Sequence, residues 1–182
     1  MAIIILTAGI FCLIACAPQQ KAGLLDPLKL SAAMKIEGER NGVAFSAEIR
    51  IGDEREDGTR SGELIFTFPE SFAGLCVRSD SGVWSAELDE AVVSGKAAEA
   101  LGAPLSPFMQ KNNAVGAELI KKSDGGTATL ITVESGGGSF ELLLDGESGY
   151  PVLLREKNGA GEIIMEYKIT EYKIEKRTDR EE

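Results

Sequence analysis

The 182-residue sequence contains no histidine. That absence excludes His-based triads, imidazole metal ligands and histidine general bases, so a serine nucleophile would need a lysine or carboxylate partner. Cysteine is scarce, at Cys12, Cys16 and Cys76 only. Basic residues are outnumbered, 19 Lys and Arg against 29 Asp and Glu, for a net charge of -10 and a pI near 4.7. This balance argues against nucleic acid or an anionic membrane surface as an electrostatic partner and serves solubility. Long hydrophobic runs are missing except for one, Ala2 to Ala15, which stops at Pro18-Gln19-Gln20-Lys21. It falls short of the roughly 20 apolar residues that a spanning helix needs.

Motifs for catalysis and phosphate binding are also missing. Gly146-Glu147-Ser148-Gly149-Tyr150 approaches a nucleophile elbow, but Tyr150 stands where the second glycine belongs, so the segment reads as a turn. Gly136-Gly137-Gly138 is followed by no Lys-Ser/Thr pair, and Gly95-Lys96 lacks the upstream glycine and the hydroxyl of a phosphate loop. The acidic cluster Asp53, Glu54, Glu56, Asp57 before Gly58 is similar to a calcium loop, yet Arg55 occupies a ligand position and Leu64 stands in place of the bidentate glutamate. A solvated hairpin tip is the expected reading, with no metal and no cofactor. No set of matched acid, base and nucleophile can be assembled, so no enzyme is expected.

The apolar run ends in Leu13-Ile14-Ala15-Cys16, which resembles the lipobox of bacterial lipoprotein precursors. A lipid is transferred to the cysteine thiol and a peptidase cuts before it, so the preceding position must be small, here Ala15. Cys12 is unsuitable because bulky Phe11 precedes it. No Lys or Arg precedes the run, where export signals carry a positive segment. The resemblance implies that residues 1–15 are a cleaved signal, with Ala15 and Cys16 flanking the cut, and that Cys16 is the lipidated N-terminus on the extracytoplasmic face of the cell membrane. Cys76 is then the one remaining thiol, so the exported domain has no intrachain disulfide and is held by its core. About 160 residues remain, enough for a single domain.

Along that remainder the hydrophobic period is two. Val43, Phe45, Ala47, Ile49 and Ile51 alternate with Ser46, Glu48 and Arg50, the pattern of a half-buried strand. It recurs at Leu64-Phe66-Phe68, Leu75-Val77, Trp84-Ala86-Leu88, Phe140-Leu142-Leu144 and Ile163-Met165-Tyr167-Ile169. Turn residues separate these runs at Asn41-Gly42, Asp57-Gly58, Asp80 to Gly82, Asp124 to Gly126, Gly136 to Gly138 and Asn158-Gly159. About ten antiparallel strands in meander order are predicted. Alternation stops between Asp89 and Ala114, where Ala97 to Leu101 reads as helix and a second helix is expected with Ser106 as N-cap and Pro107 at its first position. Asp26-Pro27 could open a third. Residues 16–29 read as the lipidated tether, 30–172 as the domain and 173–182 as a charged tail. The fold class is mainly β with helices (α+β), the helices covering the sheet's apolar face.

Gly62 to Pro69, the Asp80-Ser81-Gly82-Val83-Trp84 turn and strand, the helical segment, and Leu144-Asp145-Gly146-Glu147-Ser148-Gly149-Tyr150-Pro151 before a long last strand resemble the LolA/LolB/RseB-like superfamily of envelope lipoprotein carriers and sensors, over roughly Leu30 to Tyr172. The resemblance implies a curved antiparallel half-barrel whose concave face is closed by helices and, in the carriers, accepts acyl chains. The basic gating residue of known carriers has no match here, so no family residue is carried over. An open curved sheet leaves an apolar concave wall, expected to include Phe45, Ile49, Phe66, Trp84, Phe140, Met165 and Tyr167. The same residues could instead be plain core packed beneath the helices, and Trp84 could line a cavity mouth or lie under a helix. Two functions follow: a membrane-anchored binding module for a lipid or lipoprotein acyl chain, or an interaction or sensor lipoprotein with a filled core that recognises another envelope protein.

Overall fold

A computed structural model describes residues 30–40, 42–109, 114–135 and 138–175. Ala15, Cys16, the tether and the Asp26-Pro27 helix lie outside these residues. Among the described residues eleven strands form one antiparallel sheet. They are β1 (Ala32–Arg40), β2 (Val43–Ile51), β3 (Ser61–Phe68), β4 (Cys76–Asp80), β5 (Val83–Leu88), β6 (Ala91–Ser94), β7 (Ala114–Lys121), β8 (Thr127–Ser135), β9 (Gly138–Asp145), β10 (Pro151–Asn158) and β11 (Ile163–Ile174). Their order in the sheet is β6-β5-β4-β3-β2-β1-β11-β10-β9-β8-β7. Two meanders are thus welded by the β1–β11 pair, and β6 and β7 are the open edges.

The strand missed by the sequence reading is β6, which falls in the stretch where alternation stops. All four of its residues are exposed, so neither face imposes a period of two, and pairing with β5 alone defines it. Turn chemistry agrees with expectation at Ser81 and Gly82, which join β4 to β5 with φ of 51° and 81°. Two consecutive positive φ values match the right-handed twist of the flanking strands. Register shifts in the β1–β11, β2–β3, β7–β8, β9–β10 and β10–β11 pairings bend the open sheet. Its concave face buries Met34, Ile36, Ile49, Leu64, Leu142 and Leu154, with further side chains of both meanders, in one core.

Helix α1 (Lys96–Leu101) lies where expected and packs on β4, β5 and β6. The second helix differs from expectation. Helix α2 (Ser106–Met109) continues from a 3-10 turn at Ala103–Leu105, and Ser106 is itself helical, at φ -50° and ψ -43°. It caps nothing. Pro104 sits in the first turn instead, where its missing amide costs no hydrogen bond, as Pro107 would have done. The segment packs on β3, where Gly62 leaves the room: a Cβ there would stand 2.6 Å from Met109 and 2.9 Å from Leu105.

The end of the sheet opposite the β1–β2 hairpin is fastened by Arg60, 3% exposed, whose guanidinium donates to the carbonyls of Gly52 (3.0 Å) and Leu30 (2.5 Å). The amide of Glu175 donates to the Ser31 carbonyl at 2.9 Å, so both ends of the domain meet there. Strand β11 keeps pairing through Ile174, opposite Ala32, so Lys173 and Ile174 belong to the sheet and not to the tail.

Candidate functional site

Gly38 on β1 faces Phe45 of β2 on one side and Tyr167 of β11 on the other. A Cβ at Gly38 would come within 2.9 Å of the Phe45 ring, so glycine opens a slot into which the aromatic side chain folds. Phe45 contacts Tyr167 edge-on at 5.8 Å and Phe66 of β3 at 5.9 Å between ring centroids. Both arrangements are favourable for aromatic pairs. These three rings form one wall of a cavity of about 280 Å³, with Leu101 and Pro104 contributed by the helical segment and Pro69, Phe72 and Leu75 by the connection after β3. Val43 and Phe72 also line it and are 51% and 47% exposed, so the cavity reaches the surface there, at the β1–β2 hairpin end of the sheet. Met165 completes the lining. The volume sits at the lower limit of the roughly 300–1,000 Å³ typical of small-ligand sites.

The structure brings together Phe45, Phe66, Met165 and Tyr167 of the seven wall residues expected from the sequence. The other three are packed in the core. Ile49 and Phe140 are 0% and 4% exposed, and Trp84 lies beneath the end of α1, where a Cβ on Gly102 would be 2.4 Å from its ring. Pro69, Phe72, Leu101 and Pro104 escape the sequence reading, because they sit in a turn and in helices where no period-two pattern marks them.

Among the described residues, none that lines it is charged. The nearest carboxylate with a defined link to the lining is Glu156, which accepts a hydrogen bond from the Tyr167 hydroxyl at 3.2 Å. A larger depression of about 550 Å³ lies over Lys35, Glu48, Arg50, Glu171 and Lys173. Its side chains are engaged with one another and with their neighbours: Lys35 reaches Glu171 at 2.9 Å, Arg50 reaches Glu63 at 4.0 Å, and Arg78 bridges Glu63 and Glu87 at 3.0 and 3.2 Å. Such a ladder of exposed pairs adds little stability per pair and offers no enclosed surface to a ligand. The apolar cavity is the better candidate.

The remaining chemistry-bearing residues are structural. Cys76 is buried, its thiol donates to Glu63 at 3.2 Å, and burial with the adjacent carboxylate pushes its pKa up to about 11. So high a value keeps it protonated and unreactive at neutral pH. Ser148 donates its hydroxyl and amide to Asp145, whose carboxylate also holds Lys122 at 2.8 Å. The Lys122 ammonium and these donors hold Asp145 far below the usual carboxylate range. Gly146 to Tyr150 is the β9–β10 turn, as its sequence suggests. Arg55 of the acidic loop binds Asp80 at 2.6 Å and Ser81 at 2.7 Å, and Asp57 accepts from Thr59. Among the described residues no cluster of three metal-ligating side chains occurs, and no helix is long and apolar enough to cross a membrane.

No family model matches the sequence, nor does any curated protein. Among solved structures the chain is similar to an uncharacterized conserved protein from Thermus thermophilus, at 16% identity and a TM-score of 0.51 over 83% of this chain and 82% of that one. It is similar to MucB at 21% identity and a TM-score of 0.50, over 81% of this chain and 54% of MucB. The chain shares its fold with these two structures. A LolA superfamily protein from Nitrosomonas europaea aligns at 8% identity and a TM-score of 0.44, over 81% of this chain and 87% of that one. The chain spans about half the length of MucB, so the likeness concerns this curved antiparallel sheet alone.

Proposed function

We propose that this protein is an extracytoplasmic lipoprotein, anchored through lipidated Cys16 and released from residues 1–15 by cleavage after Ala15, that binds one apolar or amphiphilic ligand of the acyl-chain type in its half-barrel. It acts by binding and not by catalysis. The observation that carries this reading is the apolar cavity walled by Phe45, Phe66 and Tyr167 and open at Val43 and Phe72. Burial of a chain there gains about 0.8 kcal/mol per methylene, and the cavity's size suits part of a single chain. The anchor rests on the Leu13-Ile14-Ala15-Cys16 sequence. Two acyl chains on the cysteine would hold stably where one would be marginal.

The test is saturable uptake of the neutral fluorophore 1-N-phenylnaphthylamine by the purified full chain carrying Cys16→Ser. Val43→Trp places a bulky ring at an already exposed mouth and should abolish uptake with the melting temperature unchanged. Absence of uptake, or uptake indifferent to Val43→Trp, removes the ligand reading. In the membrane fraction, Cys16→Ser should release the protein or leave its precursor uncut, and unchanged retention removes the anchor.

A second reading, recognition of an envelope protein, is favoured by β6, an edge strand whose Val92 and Val93 are 66% and 44% exposed. Unpaired strand edges accept an added strand from a partner. MucB, of similar fold, has been solved in complex with MucA. Failure of every apolar probe to bind would move the assignment here.

A further inference from the structure

Along β10 the position after the fully buried Leu154 on the concave side is Glu156, where a period of two calls for an apolar residue. Its direct cross-strand neighbours are Phe140 on β9 and Met165 on β11. Carboxylates of the outer face behave differently: Glu63, Glu141, Glu166 and Glu171 each pair with a lysine or arginine. Glu156 forms no ion pair among the described residues, and its hydrogen bond is the one from the Tyr167 hydroxyl. An ionised carboxylate set between apolar neighbours costs free energy unless something compensates it. Met165 and Tyr167 both line the cavity, and Met165 is near the start of β11, on the mouth side of the sheet. Glu156 does not itself line the cavity, and the exposed lining at Val43 and Phe72 lies across β1 and β11 from it, so a polar head reaches Glu156 where it follows the Met165–Tyr167 side of the wall.

We propose that Glu156 selects the head group of the ligand: the site takes single-chain amphiphiles with a cationic, hydrogen-bond-donating head and discriminates against carboxylate and sulfate heads. This rests on the ligand reading above. Tyr167 occupies one side of the carboxylate and leaves further acceptor positions for an ammonium. An anionic head would be placed next to a like charge over an apolar surface, where water screens poorly.

Three ligands with the same twelve-carbon chain test it by displacing 1-N-phenylnaphthylamine from the full chain carrying Cys16→Ser: dodecylammonium, dodecyl maltoside and dodecanoate, each below its micelle concentration. At low salt the affinities should fall in that order, by about fivefold per step. Glu156→Gln should bring the three affinities together, dodecylammonium losing and dodecanoate gaining relative to dodecyl maltoside. Glu156→Lys should invert the order. An order that survives in Glu156→Gln would reflect the net negative charge of the whole protein and overturn the proposal. Equal binding of all three by the unsubstituted site would overturn it too, leaving the ligand reading intact. Failure to bind dodecyl maltoside at all would remove that reading and this one with it.

Discussion

Over β3 to β6 the concave face mixes large residues, Leu64, Val77 and Trp84, with small ones, Gly62, Ser79 and Ala86, and the space above the small ones is taken by α1, the 3-10 turn and α2. Over β8 to β10 it carries Ile131, Val133, Phe140, Leu142, Leu144 and Leu154, which are large enough to fill the curve of the sheet against one another. Residue size and helix position are complementary: a helix settles where small positions such as Gly62 leave room between large ones, and over β9 and β10, where the buried side chains are bulky, none packs. The cavity lies at the seam between these regimes, with Phe45 and Phe66 from one meander, Tyr167 and Met165 from the other, and the end of α1 above them.

The sharpest way to break this contrast is to empty each half in turn. Leu142→Ala removes a fully buried side chain where no helix can sink to fill the space, and should cost about 2–5 kcal/mol by chemical denaturation. The fluorescence of Trp84, across the sheet on β5, should stay native-like until unfolding. Gly102→Val overfills the other half, since its Cβ would meet Trp84 at 2.4 Å and Val77 at 3.0 Å. It should cost about 1–3 kcal/mol and shift Trp84 emission to the red as α1 lifts. If Leu142→Ala moves that emission and Gly102→Val does not, the division into two packing regimes is wrong.

A smaller effect separates the halves by pH. The Lys122 ammonium and the β9–β10 turn donors depress Asp145 below its ordinary value of 3.8, so the carboxylate form is favoured by folding. That stabilisation is complete above the ordinary value and is lost as the pH falls below it. Between about pH 5 and 3 the melting temperature should fall more in the unsubstituted protein than in Asp145→Asn, which has already lost the interaction. Equal slopes would show that the Lys122–Asp145 link contributes nothing.

Much of the architecture was legible because one sheet face is wet. Phe45 to Ile51, Leu64 to Phe68 and Phe140 to Leu144 each announce a strand and its buried side by alternation alone. β6 could not be read in this way, as both its faces meet solvent. The helix boundary failed for a different reason: Pro104 and Pro107 are equally good openings, and only packing against Gly62 distinguishes them. At the site, the four strand residues that line the cavity share the signature of Ile49, Trp84 and Phe140, which do not. Pattern tells which face is buried and not where the filling stops. That boundary depends on Gly38, whose missing side chain admits Phe45, and on Phe72 and Pro104, which the topology brings in from distant positions.

The fastening of Leu30 by Arg60 has a mechanical consequence. The polypeptide joins the sheet at the start of β1, and the cavity lies near Gly38, about 20 Å further along that strand. Any leash on the preceding residues therefore hauls on the pole remote from the opening, and tension is met by a sequestered guanidinium before it reaches the aromatic wall. An opening so placed would swing outward from a surface that held such a leash, like a cup gripped by its base.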